Sequence, residues 1–214
     1  MTISLSINAP DRAAVDRFVA RAASFLPPGG IVHIDAGDGS YTPAASWDDP
    51  AEWGAMKGAI PSVFLEVHLM ALDWETRLVP WLEAGAKRVI VQIDLVRDAR
   101  HLLDVVGRYG ASAMLSIPPL VSADAALAHQ GTFREFQVLA VPPGRSGQAF
   151  DPGALGKISS VRAAFPDAII ELDGGVTPDI LRPAKAAGAD IAVSASYIWN
   201  AADPKTAYEE LAGI

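Results

Sequence analysis

The sequence predicts a (β/α)8 barrel, and three observations lead to that prediction. Apolar, β-rich runs alternate with helix-period segments along the whole chain, and eight such pairs can be read. Strict alternation of this kind indicates parallel strands joined by helices. No Gly-x-Gly-x-x-Gly follows the first strand, which disfavours the alternative of an open, doubly wound sheet. The length of 214 residues fits a single domain, 1–214.

The predicted elements follow one another without a linker or a low-complexity tract. The strands are expected at residues 3–7, 31–35, 63–67, 88–93, 112–116, 136–141, 168–172 and 190–193. The helices are expected at residues 11–25, 51–57, 74–84, 98–109, 123–129, 152–164, 178–187 and 205–211. The polar residues 38–50 between the second strand and its helix predict an active-site loop rather than a domain boundary.

Capping residues agree with these boundaries. Asp11 and Asp73 stand where a side-chain oxygen can accept hydrogen bonds from the first backbone N–H groups of a helix. Glycine, which readily adopts the left-handed backbone that ends many helices, follows three of the helical segments. These glycines are Gly85, Gly110 and Gly188.

Composition limits the classes of partner and the compartment. The formal net charge is −8 and no Lys/Arg run occurs, so we expect neither a nucleic acid nor a membrane surface as partner. No apolar stretch approaches the roughly 20 residues of a membrane helix, and the N-terminus lacks the pattern of a signal peptide. We therefore expect a cytoplasmic protein. The absence of cysteine excludes disulfides and thiolate metal sites.

Four potential metal ligands stand at the C-terminal ends of predicted strands. They are His33 and Asp35 on the second strand, His68 after the third and Asp173 after the seventh. In a barrel of parallel strands these ends share one rim, so the four side chains can meet around one ion. Two imidazoles and two carboxylates suit Zn²⁺, Fe²⁺ or Mn²⁺ and leave the choice among them open.

At these residues the chain resembles the ribulose-phosphate 3-epimerase family. The family's motifs are matched in order by HIDAGDG (33–39), EVHLM (66–70), PGRSGQAF (143–150), DGGV (173–176) and GAD (188–190), the last leading into Ala195 and Ser196. The matches span nearly the whole chain. The resemblance implies the barrel fold, a divalent-metal centre, a sugar phosphate as the small-molecule partner, and a homo-oligomer, either a dimer or a hexamer.

The resemblance also implies roles for individual residues. Asp35 and Asp173 take the acid/base roles, and both of these aspartates coordinate the metal together with His33 and His68. Glycine-rich turns offer the backbone N–H groups that phosphate needs. The implied substrate-binding residues are Ser6, His68, Met70, Gly144, Arg145, Ser146, Gly147, Gln148, Gly174, Gly175, Ala195 and Ser196.

The residues around the predicted substrate depart from the family pattern at several positions. Gly37 and Leu139 stand where relatives carry methionine, and Gln92 stands where they carry histidine. Ala195 replaces a glycine and narrows the close approach that phosphate makes. Arg145 adds a positive charge that suits phosphate or another anion such as a carboxylate.

The sequence therefore predicts a metal-dependent ketose-phosphate 3-epimerase, most simply one interconverting D-ribulose 5-phosphate and D-xylulose 5-phosphate. A hexulose 6-phosphate such as D-allulose 6-phosphate is the neighbouring alternative, and a non-catalytic sugar-phosphate-binding relative is another. A lyase or synthase on the same barrel is disfavoured because no lysine stands at a predicted strand end.

Three further side chains carry open interpretations. Asp38 is expected either to cap its loop turn or to contribute to catalysis. Glu66 lies on the same strand and the same side as His68, so we expect it to orient that imidazole. Trp81 is compatible with a subunit interface if it is exposed.

Overall fold

Eight parallel strands close into a barrel in this computed structural model, which describes residues 1–59 and 62–214. Each strand pairs with the next along the chain, and the last pairs with the first. The strands are β1 (Thr2–Ile7), β2 (Ile31–Ala36), β3 (Phe64–Leu69), β4 (Arg88–Gln92), β5 (Ser112–Ile117), β6 (Glu135–Leu139), β7 (Ile169–Asp173) and β8 (Ile191–Ser194). The predicted fold is confirmed.

The α-helices follow the strands in the predicted order. They are α1 (Arg12–Ala22), α2 (Pro50–Met56), α3 (Trp74–Glu83), α4 (Ala99–Arg108), α5 (Gly153–Ala164), α6 (Pro178–Ala187), α7 (Ser196–Trp199) and α8 (Pro204–Ala212). Two 3₁₀ helices, Lys57–Ala59 and Ala123–His129, complete the helical structure of the described residues. None of the helices in that part of the chain is long and apolar enough to span a bilayer.

Three local predictions need correction. The segment Ala123–His129 is a 3₁₀ helix instead of an α-helix, a form that short segments favour. The four-residue helix α7 was not predicted, because so short a segment carries no periodic signal. His68 lies inside β3, whose ladder continues because His68 pairs with Asp35 and Leu69 pairs with Ala36.

The predicted helix ends are largely confirmed. The Asp11 carboxylate accepts a hydrogen bond of 2.8 Å from the Ala14 amide at the start of α1. Asp73 precedes α3, but its carboxylate binds the Thr76 hydroxyl and the Arg77 guanidinium instead of a backbone N–H. The three glycines expected after helices all have positive φ.

Alternation along the strands separates two kinds of core. The apolar side chains of β2, such as Val32 and Ile34, join the buried layer that packs against the helices. Their neighbours His33 and Asp35 point into the barrel. The buried polar side chains of the interior are Ser4, Ser6, His33, Asp35, Glu66, His68, Arg88, Gln92, Ser116, Gln137 and Glu171.

Trp81 belongs to the outer apolar layer and is completely buried. Its ring packs edge-on against Trp47, with centroids 5.8 Å apart, and its indole N–H donates to the Asp48 carboxylate at 2.7 Å. The expectation that Trp81 could be exposed for a subunit interface was therefore wrong, because the second-strand loop folds over α3.

Gly156 offers a test of helix packing. It lies exposed within α5, and a Cβ there would meet no atom within 4 Å. Because glycine in a helix costs about 0.5–1 kcal/mol relative to alanine, we expect Gly156→Ala to raise the free energy of unfolding by about that amount. Urea denaturation measures the change.

The matched control is Gly188→Ala at the end of α6. Gly188 has φ of 112°, and a Cβ there would lie 2.9 Å from the Arg162 side chain. This variant should lose stability. A loss of stability in Gly156→Ala would contradict the expectation for α5.

Candidate active site

The four predicted metal ligands meet at one end of the barrel interior. His33, Asp35, His68 and Asp173 each offer one ligand atom, and these atoms all lie within 4.8 Å of one another. We call these residues the four-donor cluster. The imidazoles and Asp35 are buried, and Asp173 is partly exposed. Residues from β2, β3 and β7 meet because the strand ends of a parallel barrel share a rim.

The contacts within the four-donor cluster fit a divalent metal. His68 Nδ1 lies 3.5 Å from Asp35 Oδ1 and 3.9 Å from Asp173 Oδ2, beyond normal hydrogen-bond distance. This buried nitrogen has no hydrogen-bond partner among the described residues. Burial also lowers the pKa of the His68 imidazole, which favours the neutral form that ligates metals. The residues could therefore hold Zn²⁺, Fe²⁺ or Mn²⁺.

Asp35 is held as a carboxylate. Its Oδ2 accepts hydrogen bonds of 3.1 Å from the Ser6 hydroxyl and from the Asn8 amide, and its Oδ1 lies 3.3 Å from His33 Nε2. Burial opposes ionisation of Asp35, but the imidazoles of His33 and His68 outweigh burial and hold its pKa well below its usual range. The Ser6 prediction thus places a hydroxyl at the cluster.

Asp173 has the opposite electrostatic environment. Burial and the nearby charge of Asp35 raise the pKa of Asp173 to about 7. Its Oδ2 accepts a hydrogen bond of 3.2 Å from the Gln137 amide, which Ser116 orients by donating to Gln137 Oε1 at 2.6 Å. Two carboxylates whose pKa values are driven apart can divide the roles of acid and base.

Glu66 contacts His33 and not His68, which corrects the predicted partner. Its Oε1 lies 3.0 Å from His33 Nδ1 and accepts from the Ser4 hydroxyl at 2.5 Å. Glu66 and His33 are direct Cα partners across β2 and β3, whereas His68 stands two residues, or roughly 7 Å, further along β3. Arg88 donates to Glu66 Oε2 at 2.7 Å.

The glutamine on the fourth strand points into the barrel. Gln92 is completely buried, and its Nε2 lies 2.7 Å from His68 Nε2. This contact holds the imidazole from the side opposite to the four-donor cluster.

Two polar residues of the site were missed by sequence reasoning. Asn8 donates to Asp35 and, at 2.8 Å, to the Gly144 carbonyl, so it ties the metal ligand to the loop after β6. Gln137 contacts Asp173. The available signal was a polar residue at or just past the end of an apolar strand, which also fits an ordinary interior hydrogen bond.

A pocket of about 530 Å³, open to solvent, lies above the four-donor cluster. Every residue predicted to bind substrate lines this pocket: Ser6, His68, Met70, Gly144, Arg145, Ser146, Gly147, Gln148, Gly174, Gly175, Ala195 and Ser196. Asn8, Asp35, Leu139 and Asp173 also line it. Of the described residues around the pocket, Arg145 alone carries a guanidinium or ammonium group.

Glycine is required where two loops of the pocket meet. Gly174 has φ of 107°, and a Cβ there would lie 2.6 Å from a Val141 methyl group. Gly175 has φ of 65°, and a Cβ there would lie 2.8 Å from Phe150. The loops after β6 and β7 therefore pack closely and leave their backbone at the pocket surface.

Two departures from the family pattern have structural explanations. A Cβ on Gly37 would lie 3.2 Å from the Met70 carbonyl and 3.4 Å from Ser46 Oγ, so the fold leaves no room for a methionine there. The Asp38 carboxylate accepts from the Ser40 amide at 2.8 Å and from Arg77 at 2.9 Å. These contacts favour the turn-capping role for Asp38.

Comparison with known proteins gives consistent results. The sequence model described as the ribulose-phosphate 3 epimerase family matches residues 2–199. A ribulose-phosphate 3-epimerase of Chlamydia muridarum is 31% identical over 176 residues, covering 79% of this chain and 76% of the relative. One of Mycobacterium leprae is 29% identical over 184 residues, covering 84% and 81%.

Solved structures share the fold at low sequence identity. A 3-hexulose-6-phosphate synthase superposes with a TM-score of 0.74 at 18% identity, covering 100% of this chain and 99% of its own. An orotidine 5'-phosphate decarboxylase from Pyrococcus horikoshii OT3 gives a TM-score of 0.65 at 14% identity and covers 100% of both chains. These likenesses concern the barrel alone.

Proposed function

The chain belongs to the ribulose-phosphate 3-epimerase family and is an isomerase, and from that premise we propose that it is a metal-dependent ketose-phosphate 3-epimerase interconverting D-ribulose 5-phosphate and D-xylulose 5-phosphate. One observation carries the proposal. Two carboxylates with pKa values driven apart, Asp35 and Asp173, stand beside two imidazoles at the floor of a pocket.

Epimerisation next to a carbonyl needs one group to remove the C3 proton and another to return a proton to the opposite face. In the proposed reaction one aspartate takes the proton as a carboxylate, and the other aspartate donates its own proton as a carboxylic acid. In the reverse direction the two roles exchange. The low pKa of Asp35 and the raised pKa of Asp173 leave this pair with one proton between them near neutral pH.

The four-donor cluster supplies the ligands for the divalent ion in this proposal. When bound there, the ion would polarise the ketose carbonyl and so acidify the neighbouring C–H bond. Ser6 and Asn8 keep Asp35 oriented by donating to its Oδ2, and Gln137 does the same for Asp173. The chain thus holds both acid/base groups at defined positions without a mobile arm.

The substrate phosphate is proposed to lie against the loops that end in Gly147, Gly175 and Ser196. Backbone at glycine turns can approach an anion closely, and Arg145 adds the positive charge. Met70 and Leu139 line the wall of the pocket nearer the sugar carbons. Ala195 narrows the approach on the β8 side, so Arg145 is proposed to compensate for contacts that a glycine would allow.

We expect Arg145→Ala to raise KM for D-ribulose 5-phosphate about tenfold to a hundredfold with little change in kcat. A charge-assisted hydrogen bond is worth about 1.5–3 kcal/mol, and a contact made equally in ground and transition states affects KM alone. Steady-state kinetics measures both constants.

Arg182→Ala on α6 is the matched control, because Arg182 is exposed away from the pocket lining. It should leave both constants unchanged. If Arg145→Ala also leaves KM unchanged, Arg145 does not bind the phosphate.

The proposed function is tested by incubating protein loaded with Zn²⁺, Mn²⁺ or Fe²⁺ with D-ribulose 5-phosphate in D₂O. NMR should show deuterium at C3 together with D-xylulose 5-phosphate. Binding of the sugar phosphate without any deuterium exchange would refute an epimerase and support the non-catalytic alternative.

A second candidate substrate follows from Leu139. This residue lines the pocket where relatives carry methionine, so the wall is formed by a shorter, branched side chain that leaves room for a larger sugar. The same experiment with D-allulose 6-phosphate compares the two substrates. A higher kcat/KM for the hexulose phosphate would reassign the preferred substrate while leaving the proton-transfer chemistry unchanged.

A further inference from the structure

The two imidazoles of the four-donor cluster are held from opposite nitrogens. His33 turns Nε2 toward Asp35, at 3.3 Å, and Nδ1 toward Glu66, at 3.0 Å. His68 turns Nδ1 toward Asp35, at 3.5 Å, and Nε2 toward Gln92, at 2.7 Å. Each ring therefore has one nitrogen at the cluster and one against a polar side chain behind it.

A neutral imidazole carries its proton on one nitrogen and a lone pair on the other, and only the lone pair can bind a metal. Glu66 is held as a carboxylate by Arg88 and Ser4, so it can only accept, and the His33 proton stays on Nδ1. His33 Nε2 is thereby free for the metal. The corresponding choice for His68 depends on Gln92.

Gln92 can impose either tautomer on His68, because its amide has a donor end and an acceptor end. With the amide nitrogen against His68 Nε2, the proton of the ring is forced onto Nδ1 and blocks the cluster side. A half-turn of the amide brings Oε1 to the same position without displacing neighbours, because the two ends are nearly equal in size. The ring proton then lies on Nε2.

Two unpartnered atoms point to the second arrangement. Both Gln92 Oε1 and His68 Nδ1 are buried and lack a hydrogen-bond partner among the described residues. Turning the amide gives Oε1 the Nε2 proton of His68 as a partner. It also converts Nδ1 from an unpaired donor into a lone pair that faces Asp35 and Asp173.

We propose that Gln92 is a positioning residue for the metal centre: its amide oxygen accepts the Nε2 proton of His68 and leaves the Nδ1 lone pair as the metal ligand. The inference rests on the metal centre of the proposed function. It assigns to Gln92 the part that Glu66 takes for His33, with a neutral group in place of a charged one. Such partners behind a ligand typically change metal affinity about tenfold to a hundredfold.

The direct test is ¹⁵N NMR of the imidazoles in the Zn²⁺-loaded protein. We expect a protonated, pyrrole-type Nε2 and a metal-bound Nδ1 for His68, and the reverse pattern for His33. A protonated Nδ1 on His68 in a protein that binds Zn²⁺ would overturn the inference and leave the metal centre standing. Failure of the wild-type protein to bind Zn²⁺ would overturn both.

Substitutions at Gln92 test the role independently. Q92L removes the acceptor at similar volume and should weaken Zn²⁺ binding about tenfold to a hundredfold, measured by competition with a chelator. Q92E keeps an acceptor and should retain both the affinity and the His68 tautomer. Equal Zn²⁺ affinity for Q92L and the wild-type protein would overturn the inference.

The matched control is I90V, one interior position below Gln92 on β4. Ile90 is completely buried and is the Cα partner of His68 across β3 and β4. This variant should lower the thermal midpoint by removing a buried methyl group, with no change in Zn²⁺ affinity. A loss of affinity in I90V as large as that in Q92L would identify a packing effect and overturn the assignment to Gln92.

Discussion

Asp173→Asn is expected to lower kcat for D-ribulose 5-phosphate by about 10²–10⁴-fold, the contribution of a positioned acid or base. The amide can fill the same space and accept the hydrogen bond from Gln137, but it cannot carry the proton that the pKa of about 7 allows Asp173 to exchange. Kinetics and C3 exchange in D₂O measure the loss, with bound metal determined in the same sample. An Asp173→Asn protein that binds metal and keeps full activity would exclude Asp173 as an acid/base group.

Asp38→Asn is the matched control for this substitution. Asp38 makes the same chemical change possible on the same rim, but its carboxylate contacts Ser40 and Arg77 in the loop after β2. Its loss should change kcat by less than about tenfold. A loss equal to that of Asp173→Asn would assign catalysis to Asp38 as well.

Arg88→Met is expected to lower the free energy of unfolding by about 3–5 kcal/mol, since it leaves an uncompensated charge inside the barrel. Glu66 is 0% exposed and Arg88 is 5% exposed. Arg88, with His33 and Ser4, overcomes the effect of burial and lowers the pKa of Glu66 to about 2, and Arg88 also donates to Glu135 at 2.6 Å. Urea denaturation measures the change.

Two variants define the origin of that loss. Glu66→Gln combined with Arg88→Met removes both charges and should recover part of the stability, because the remaining amide can still bond to Ser4 and His33. Lys205→Met breaks an exposed pair with Glu209 and should cost less than about 1 kcal/mol. Equal losses for Arg88→Met and Lys205→Met would show that burial of the Glu66 pair contributes little.

The barrel and the meeting of the four-donor cluster could both be predicted from the sequence. Alternating apolar runs determine parallel strands, and parallel strands in a closed barrel bring their carboxyl ends to one rim. His33, Asp35, His68 and Asp173 are close together for this reason. Their position depends only on being near a strand end, so an error of one or two residues in the predicted boundary of β3 did no harm.

Only the tertiary structure decided which side chain lies behind each ligand. Glu66 faces the same side of β3 as His68, yet it bonds to His33, because the register of β2 and β3 pairs those two residues. Gln92 and Gln137 became partners of His68 and Asp173 in the same way. A shift of two residues between strands preserves every inward and outward side chain but changes all cross-strand neighbours, so the alternation pattern carries no information about these contacts. The unequal pKa values of Asp35 and Asp173 depend on those neighbours and on burial, and they too are properties of the folded barrel.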